Sequence, residues 1–109
     1  MKIVTSEQVS PFQNAHGVLA RRLHDTEHVQ VVQIDLEPGQ GLKSHVTPVD
    51  VFFYVVRGDA TVQIGEEREC VPVGSLVHSP AGIPHLVANE GETHLRFLVV
   101  KTPNPGGRK

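Results

Sequence analysis

At 109 residues the chain has room for one domain, which excludes a multidomain enzyme. Hydrophobic residues make up 39% and charged residues 20%, ordinary globular proportions that exclude a disordered chain and leave a core built on Val, Leu, Ile and four Phe without Trp. Ten Lys and Arg against twelve Asp and Glu give a formal charge of −2 with no block of one sign, which excludes the basic footprint of a nucleic-acid or anionic-membrane binder. Cys70 is the single cysteine, so no internal disulfide forms. No apolar run approaches the roughly 18 residues of a membrane span, and residues 1–12 lack the apolar stretch of a secretion signal. The expectation is a cytoplasmic protein.

Pro and Gly interrupt every periodic window after about five to nine residues, the length of strands and too short for ordinary helices. In chain order, strands are expected at 18–23, 29–36, 51–56, 60–64, 70–73, 76–77, 86–88 and 95–100. On 29–36, Val32, Ile34 and Leu36 share one parity while Asp35 and Glu37 share the other, and Pro38-Gly39 ends the strand. Turns fall at Arg57-Gly58-Asp59, Gly65-Glu66-Glu67, 72–74, 80–84 and 89–91. Turn signals at this spacing with no helical pattern between them imply an all-β sandwich or closed barrel. Residues 1–102 form one domain, its core between 29 and 100. The segment 103–109 has no apolar residue to bury and reads as a flexible tail.

The strand at 51–56 is apolar on both parities, so both of its faces must be covered. Either the strand is covered locally within the barrel, or the outward residues Phe52, Tyr54 and Val56 meet a second copy of the chain; a homodimer is the expectation.

Two stretches carry chemistry. Gly39 to Thr47 contains His45 and runs on to Gly58; fifteen residues later (59–73 intervene) Gly74 opens Gly74-Ser75-Leu76-Val77-His78-Ser79-Pro80-Ala81-Gly82-Ile83-Pro84-His85-Leu86-Val87-Ala88-Asn89. This resembles the cupin superfamily, whose second motif, G-x5-P-x-G-x2-H-x3-N, is matched at Gly74, Pro80, Gly82, His85 and Asn89. The first motif, G-x5-H-x-H-x3,4-E-x6-G, is matched at Gly39, His45 and Gly58, while its second His falls on Thr47 and its Glu on Val51. The resemblance spans roughly 29–100 and implies a double-stranded β-helix, or jelly-roll barrel. Independently of it, Pro80 to Pro84 is a rigid turn in which Gly82 can take positive φ and aim His85 at the start of the next strand.

The resemblance implies a metal held by three His and one Glu, of which this chain keeps His45 and His85. Two imidazoles from separate strands can ligate a divalent transition metal such as Zn, Mn, Fe or Ni, but catalytic sites usually need about three protein ligands. Thr47 offers a neutral hydroxyl and Val51 nothing; Asp50 has the wrong parity. A third donor would come from His28, Gln30, His78 or His94. Replacing the carboxylate with Val51 beside Phe53 makes the barrel interior largely apolar, a cavity for a small, partly apolar ligand bound by His45, Thr47, Val51, Phe53 and His85. Three readings follow. The first is a small-molecule-binding cupin with a degenerate two-histidine site, the second a metal-dependent enzyme of the dioxygenase or isomerase sort. The third is an accessory protein whose barrel is filled.

Of the remaining residues, Cys70 reads as a buried, inert thiol, and His16, His24 and His28 as solvated. Arg21 and Arg22 fall one on each strand face, and Arg96, if inward on the last strand, is a candidate anion-binding residue.

Overall fold

The computed structural model describes residues 1–106. After a single 3₁₀ turn at Ser6–Gln8 come eight strands: β1 (Leu19–Asp25), β2 (Gln30–Leu36), β3 (Asp50–Arg57), β4 (Ala60–Ile64), β5 (Glu67–Val71), β6 (Leu76–Ser79), β7 (His85–Ala88) and β8 (Leu95–Thr102). They form a five-stranded sheet ordered β1-β2-β8-β3-β6 and a three-stranded sheet ordered β5-β4-β7. Every pairing is antiparallel. Residues 37–49 add a further edge beside β7, through bridges from Gly41 to Ala88 and from His45 to His85. The fold is a double-stranded β-helix, in which strands that are distant in sequence become neighbours, β8 lying between β2 and β3.

The core follows from strand parity. Val32, Ile34 and Leu36 from β2, Val51, Phe53 and Val55 from β3, and Leu95, Phe97 and Val99 from β8 are all buried and point inward, opposed by Ala60, Val62 and Val87 from the smaller sheet. Each of the Val, Leu, Ile and Phe side chains contributes about 1.5–3 kcal/mol on leaving water. The turn between β3 and β4 depends on Gly58, whose φ is +81° and where a Cβ would collide with the His94 carbonyl oxygen. Only glycine lets the start of β8 pack that closely.

Several local expectations change. β5 begins at Glu67, ahead of the expected residue 70, because Glu67, Arg68 and Glu69 are all exposed on an edge strand paired only with β4 and show no apolar alternation. The same exposure corrects Cys70, which is an exposed free thiol. Asp35, expected on a solvated face, is 3% exposed because β2 is covered on both sides. Its carboxylate is satisfied by Arg96 Nε at 2.7 Å and His94 Nε2 at 2.6 Å, with Arg21 at 3.9 Å. Burial alone would raise the Asp35 pKa, but those bonds hold it below the usual carboxylate value, and Asp35 in turn raises that of His94.

Beyond β8, Asn104 is buried. It donates to Asp25 Oδ1 at 2.5 Å and to the Thr26 carbonyl at 2.9 Å, and accepts from the Gly106 N–H at 3.0 Å. These polar bonds fasten residues 103–106 to the β1–β2 turn, a form of attachment that apolar content does not signal. The rest of the expected tail, 107–109, lies outside the described residues. Among the described residues no helix is long and apolar enough to cross a membrane.

Candidate functional site

The turn at 80–84 aims His85 as its residues imply. Gly82 has φ +80°, its N–H donates to the Thr47 carbonyl at 2.9 Å, and the Ala81 N–H donates to Asp50 Oδ1 at 2.9 Å. The loop that carries His45 therefore also anchors the turn that delivers His85. The two residues then exchange backbone hydrogen bonds, His45 N–H to the His85 carbonyl at 3.1 Å and the reverse at 3.0 Å. Such a pair brings side chains of one parity together. Asn89 closes the other end of β7 by donating to the Leu36 and Thr93 carbonyls at 2.9 and 2.8 Å.

The imidazoles meet edge to face, with ring centroids 4.5 Å apart and Nε2 to Nε2 at 3.3 Å. The surrounding groups decide which nitrogen of each uncharged ring carries the proton. His45 Nδ1 lies 3.0 Å from the Lys43 carbonyl, which can only accept, so Nδ1 carries the proton and Nε2 the lone pair. His85 Nε2–H then donates to His45, and the Ser79 hydroxyl, 2.8 Å away, donates to His85 Nδ1. Thr47 Oγ1 stands 3.4 Å from the same His85 Nε2. Burial, together with the positive charge available on His45, Lys101 and His16, lowers the His85 pKa to about 4, so this ring is neutral at physiological pH. Phe53 supports it edge-on, centroids 5.3 Å apart.

These rings form part of the wall of a cavity of about 300 Å³ inside the barrel. His45, Phe53 and His85 line it, as does Gln30. Thr47 and Val51 do not: Thr47 is 4% exposed and touches His85 from outside the cavity wall, and Val51 is wholly buried, in register with Ser79 and Lys101. The other three possible donors are elsewhere. His28 is exposed beside Glu27, and His78 lies 3.8 Å from Asp50. His94 bridges Asp35 and Glu37 on the outer face of the sheet.

Phe12, His16, Arg22 and Lys101 also line the cavity and were not anticipated there. His16, expected in solvent, packs its ring 4.9 Å from that of His45 and accepts from the Lys43 N–H at 2.9 Å. Burial first, and then His45, Lys43 and Lys101, lower its pKa. Parity was the available signal for Arg22, two residues beyond buried Ala20, and for Lys101, two beyond buried Val99. The irregular N-terminal segment gave no such signal for His16.

As a metal centre the arrangement falls short. Among the described residues no group of three His, Cys, Asp or Glu converges, and His16 already uses Nδ1 as an acceptor, so two nitrogens converge where about three ligands are needed. The residues present do not fit the metal that the first motif implies.

A family model described as a cupin domain matches residues 32–101. The chain belongs to the cupin superfamily. This cupin is 30% identical, over 91% of its own length and 87% of the other's, to an uncharacterized protein of Methanocaldococcus jannaschii. It is also similar to a crystal structure from Thermus thermophilus, at 30% identity and a TM-score of 0.82 over 94% of this chain and 98% of that one. The crystal structure of an RmlC-like cupin from M. jannaschii, described as a double-stranded β-helix, matches at 27% identity and a TM-score of 0.77 over 90% and 91% of the two chains.

Proposed function

We propose that this cupin binds a small, partly apolar molecule in the barrel cavity, held at one end by His45 and His85. The observation that carries the reading is the cavity itself. Its volume of about 300 Å³ is at the lower end of small-molecule sites, roughly 300–1,000 Å³, and its wall is mostly apolar with a few convergent polar groups. A barrel interior of this size also counts against the filled-barrel, accessory reading. The pair suits hydrogen bonding to a ligand, since a ligand that parts the two rings meets an acceptor at His45 Nε2 and a donor at His85 Nε2, 3.3 Å apart. With two converging nitrogens, metal-dependent oxygenase or isomerase chemistry finds less support than binding.

A thermal-shift screen of small molecules tests this. A compound present at about a hundred times its Kd should raise stability by about 2.7 kcal/mol. Ala20→Leu, which projects into the cavity from β1, should abolish the response while leaving the protein folded. If no compound raises Tm, or if Ala20→Leu responds like the wild type, the reading fails.

We further propose that the outer face of the five-stranded sheet pairs with a second copy of the chain. Tyr54, Val56 and Leu76 are 41%, 43% and 62% exposed there, and half-buried Phe52 stacks on His78 with centroids 5.2 Å apart. An isologous contact buries this apolar strip against itself.

A further inference from the structure

We infer that the ligand is an organic carboxylate, its charged group received by Arg22 and Lys101 and its apolar body extending toward His45 and His85. The inference rests on the cavity-binding reading above and assigns the chemical class of the ligand.

The first observation is one of sign. The residues lining the cavity include Arg22 and Lys101 and three histidines, and no Asp or Glu. Elsewhere the same fold satisfies its buried charge from within. Asp35, on the outer face, is surrounded by Arg21, Arg96 and His94. Among the described residues that compensation is thinner around the cavity. Among the described residues Lys101 has no carboxylate partner. The carboxylate beside Arg22 is that of Asp25, whose Oδ2 is 3.9 Å from Nε, beyond hydrogen-bond distance, while the guanidinium lies 4.5 Å over the Phe12 ring. A partly buried ammonium without a counter-charge is unfavourable, and burial and then Arg22 lower the Lys101 pKa. The attraction of a bound anion would act against this lowering.

The second observation is one of placement. Lys101 pairs in register with Gln30, and Arg22 with Val32 one inward position along, so strands β1, β2 and β8 bring two cations and an amide to adjacent rows of the sheet's inner face. One inward position along, Val99 pairs with Val32 and with Phe53, and Phe53 carries the His85 ring. Ala20, Val32, Ile34 and Val99 line the same cavity as an apolar wall beside the cations and the imidazole pair. An inorganic anion would leave that wall uncovered, whereas an acid with a short apolar body covers it. The planar fork of Arg22 matches a carboxylate, and charge-assisted bonds of this kind are about twice as strong as neutral ones.

The test is titration calorimetry of the full chain with matched pairs: propionate and propionamide, hexanoate and hexanamide, phenylacetate and phenylacetamide, with inorganic phosphate as a further arm. For at least one pair the carboxylate should bind about tenfold or more tightly than its amide. That ratio should fall about tenfold in Lys101→Gln and be kept in Lys101→Arg. Arg22→Gln, at a half-exposed position, provides a second reading of the ratio if Lys101→Gln does not fold. Amides binding as well as their acids would overturn the carboxylate assignment while leaving the cavity-binding reading intact. Phosphate binding as tightly as the best carboxylate would overturn it in favour of a general anion site. If none of the six organic probes binds, the cavity-binding reading falls and this inference falls with it.

Discussion

Replacing His85 with Asn isolates the cost of keeping an imidazole neutral inside the barrel. The ring has a pKa of about 4 in the folded protein against 6.5 in an unfolded chain. Above pH 6.5 it is neutral in both states and contributes no pH dependence. As pH falls below 6.5 the unfolded chain takes up a proton that the folded protein refuses until about pH 4, so the folded state loses stability across that window. The difference of about 2.5 pKa units at about 1.36 kcal/mol each corresponds to about 3 kcal/mol. Asn at this position keeps an acceptor for the Ser79 hydroxyl, which lies 2.8 Å from Nδ1, and cannot titrate. Other groups complicate each curve alone. His94 has a raised pKa, so its stabilisation is present below pH 6.5 and fades as pH rises through the folded value. Because it is common to both proteins, the difference between the curves reports His85. Urea unfolding followed by circular dichroism from pH 7.5 to 4 should show wild type losing about 3 kcal/mol more than His85→Asn. Parallel curves would refute the argument, as would a His85 ring resonance titrating near 6.5 by NMR.

Gly58→Ala should destabilise by about 1–3 kcal/mol from the positive φ alone, and further because its Cβ would collide with the His94 carbonyl; an unchanged Tm would contradict this. Phe52→Glu should shift the sedimentation equilibrium from dimer toward monomer with the circular dichroism of the barrel kept, and a wild-type chain that is already monomeric at tens of micromolar would end the dimer proposal. Thr47→His combined with Val51→Glu should raise affinity for Mn²⁺, Ni²⁺ or Zn²⁺ well above wild type by calorimetry, since Thr47 already stands 3.4 Å from His85 Nε2. Equal affinities would show that position 51, in register with Lys101, does not face the imidazole pair.

The barrel was legible because its physics is local. Val32, Ile34 and Leu36 alternate with polar residues, Pro80 to Pro84 can only turn, and Gly58 and Gly82 fall where the backbone needs positive φ. His85 was legible as the start of β7 behind the turn at 80–84, while His45 meets it from a loop through an isolated bridge. Other features depend on what lies across the sheet. Asp35 is buried because Arg96 and His94 arrive from 61 and 59 residues away. Cys70 is exposed because β5 is an edge strand, which its own sequence does not reveal. His16 reaches the cavity because an irregular segment without periodicity is fastened there through the Lys43 N–H. Parity along β1 and β8 determined that Arg22 and Lys101 face inward, but only the order β1-β2-β8 brought the two cations to the same cavity. A strand's own residues set which way a side chain points, whereas the company it meets is set by strands far away in sequence, and the character of this site is a matter of company.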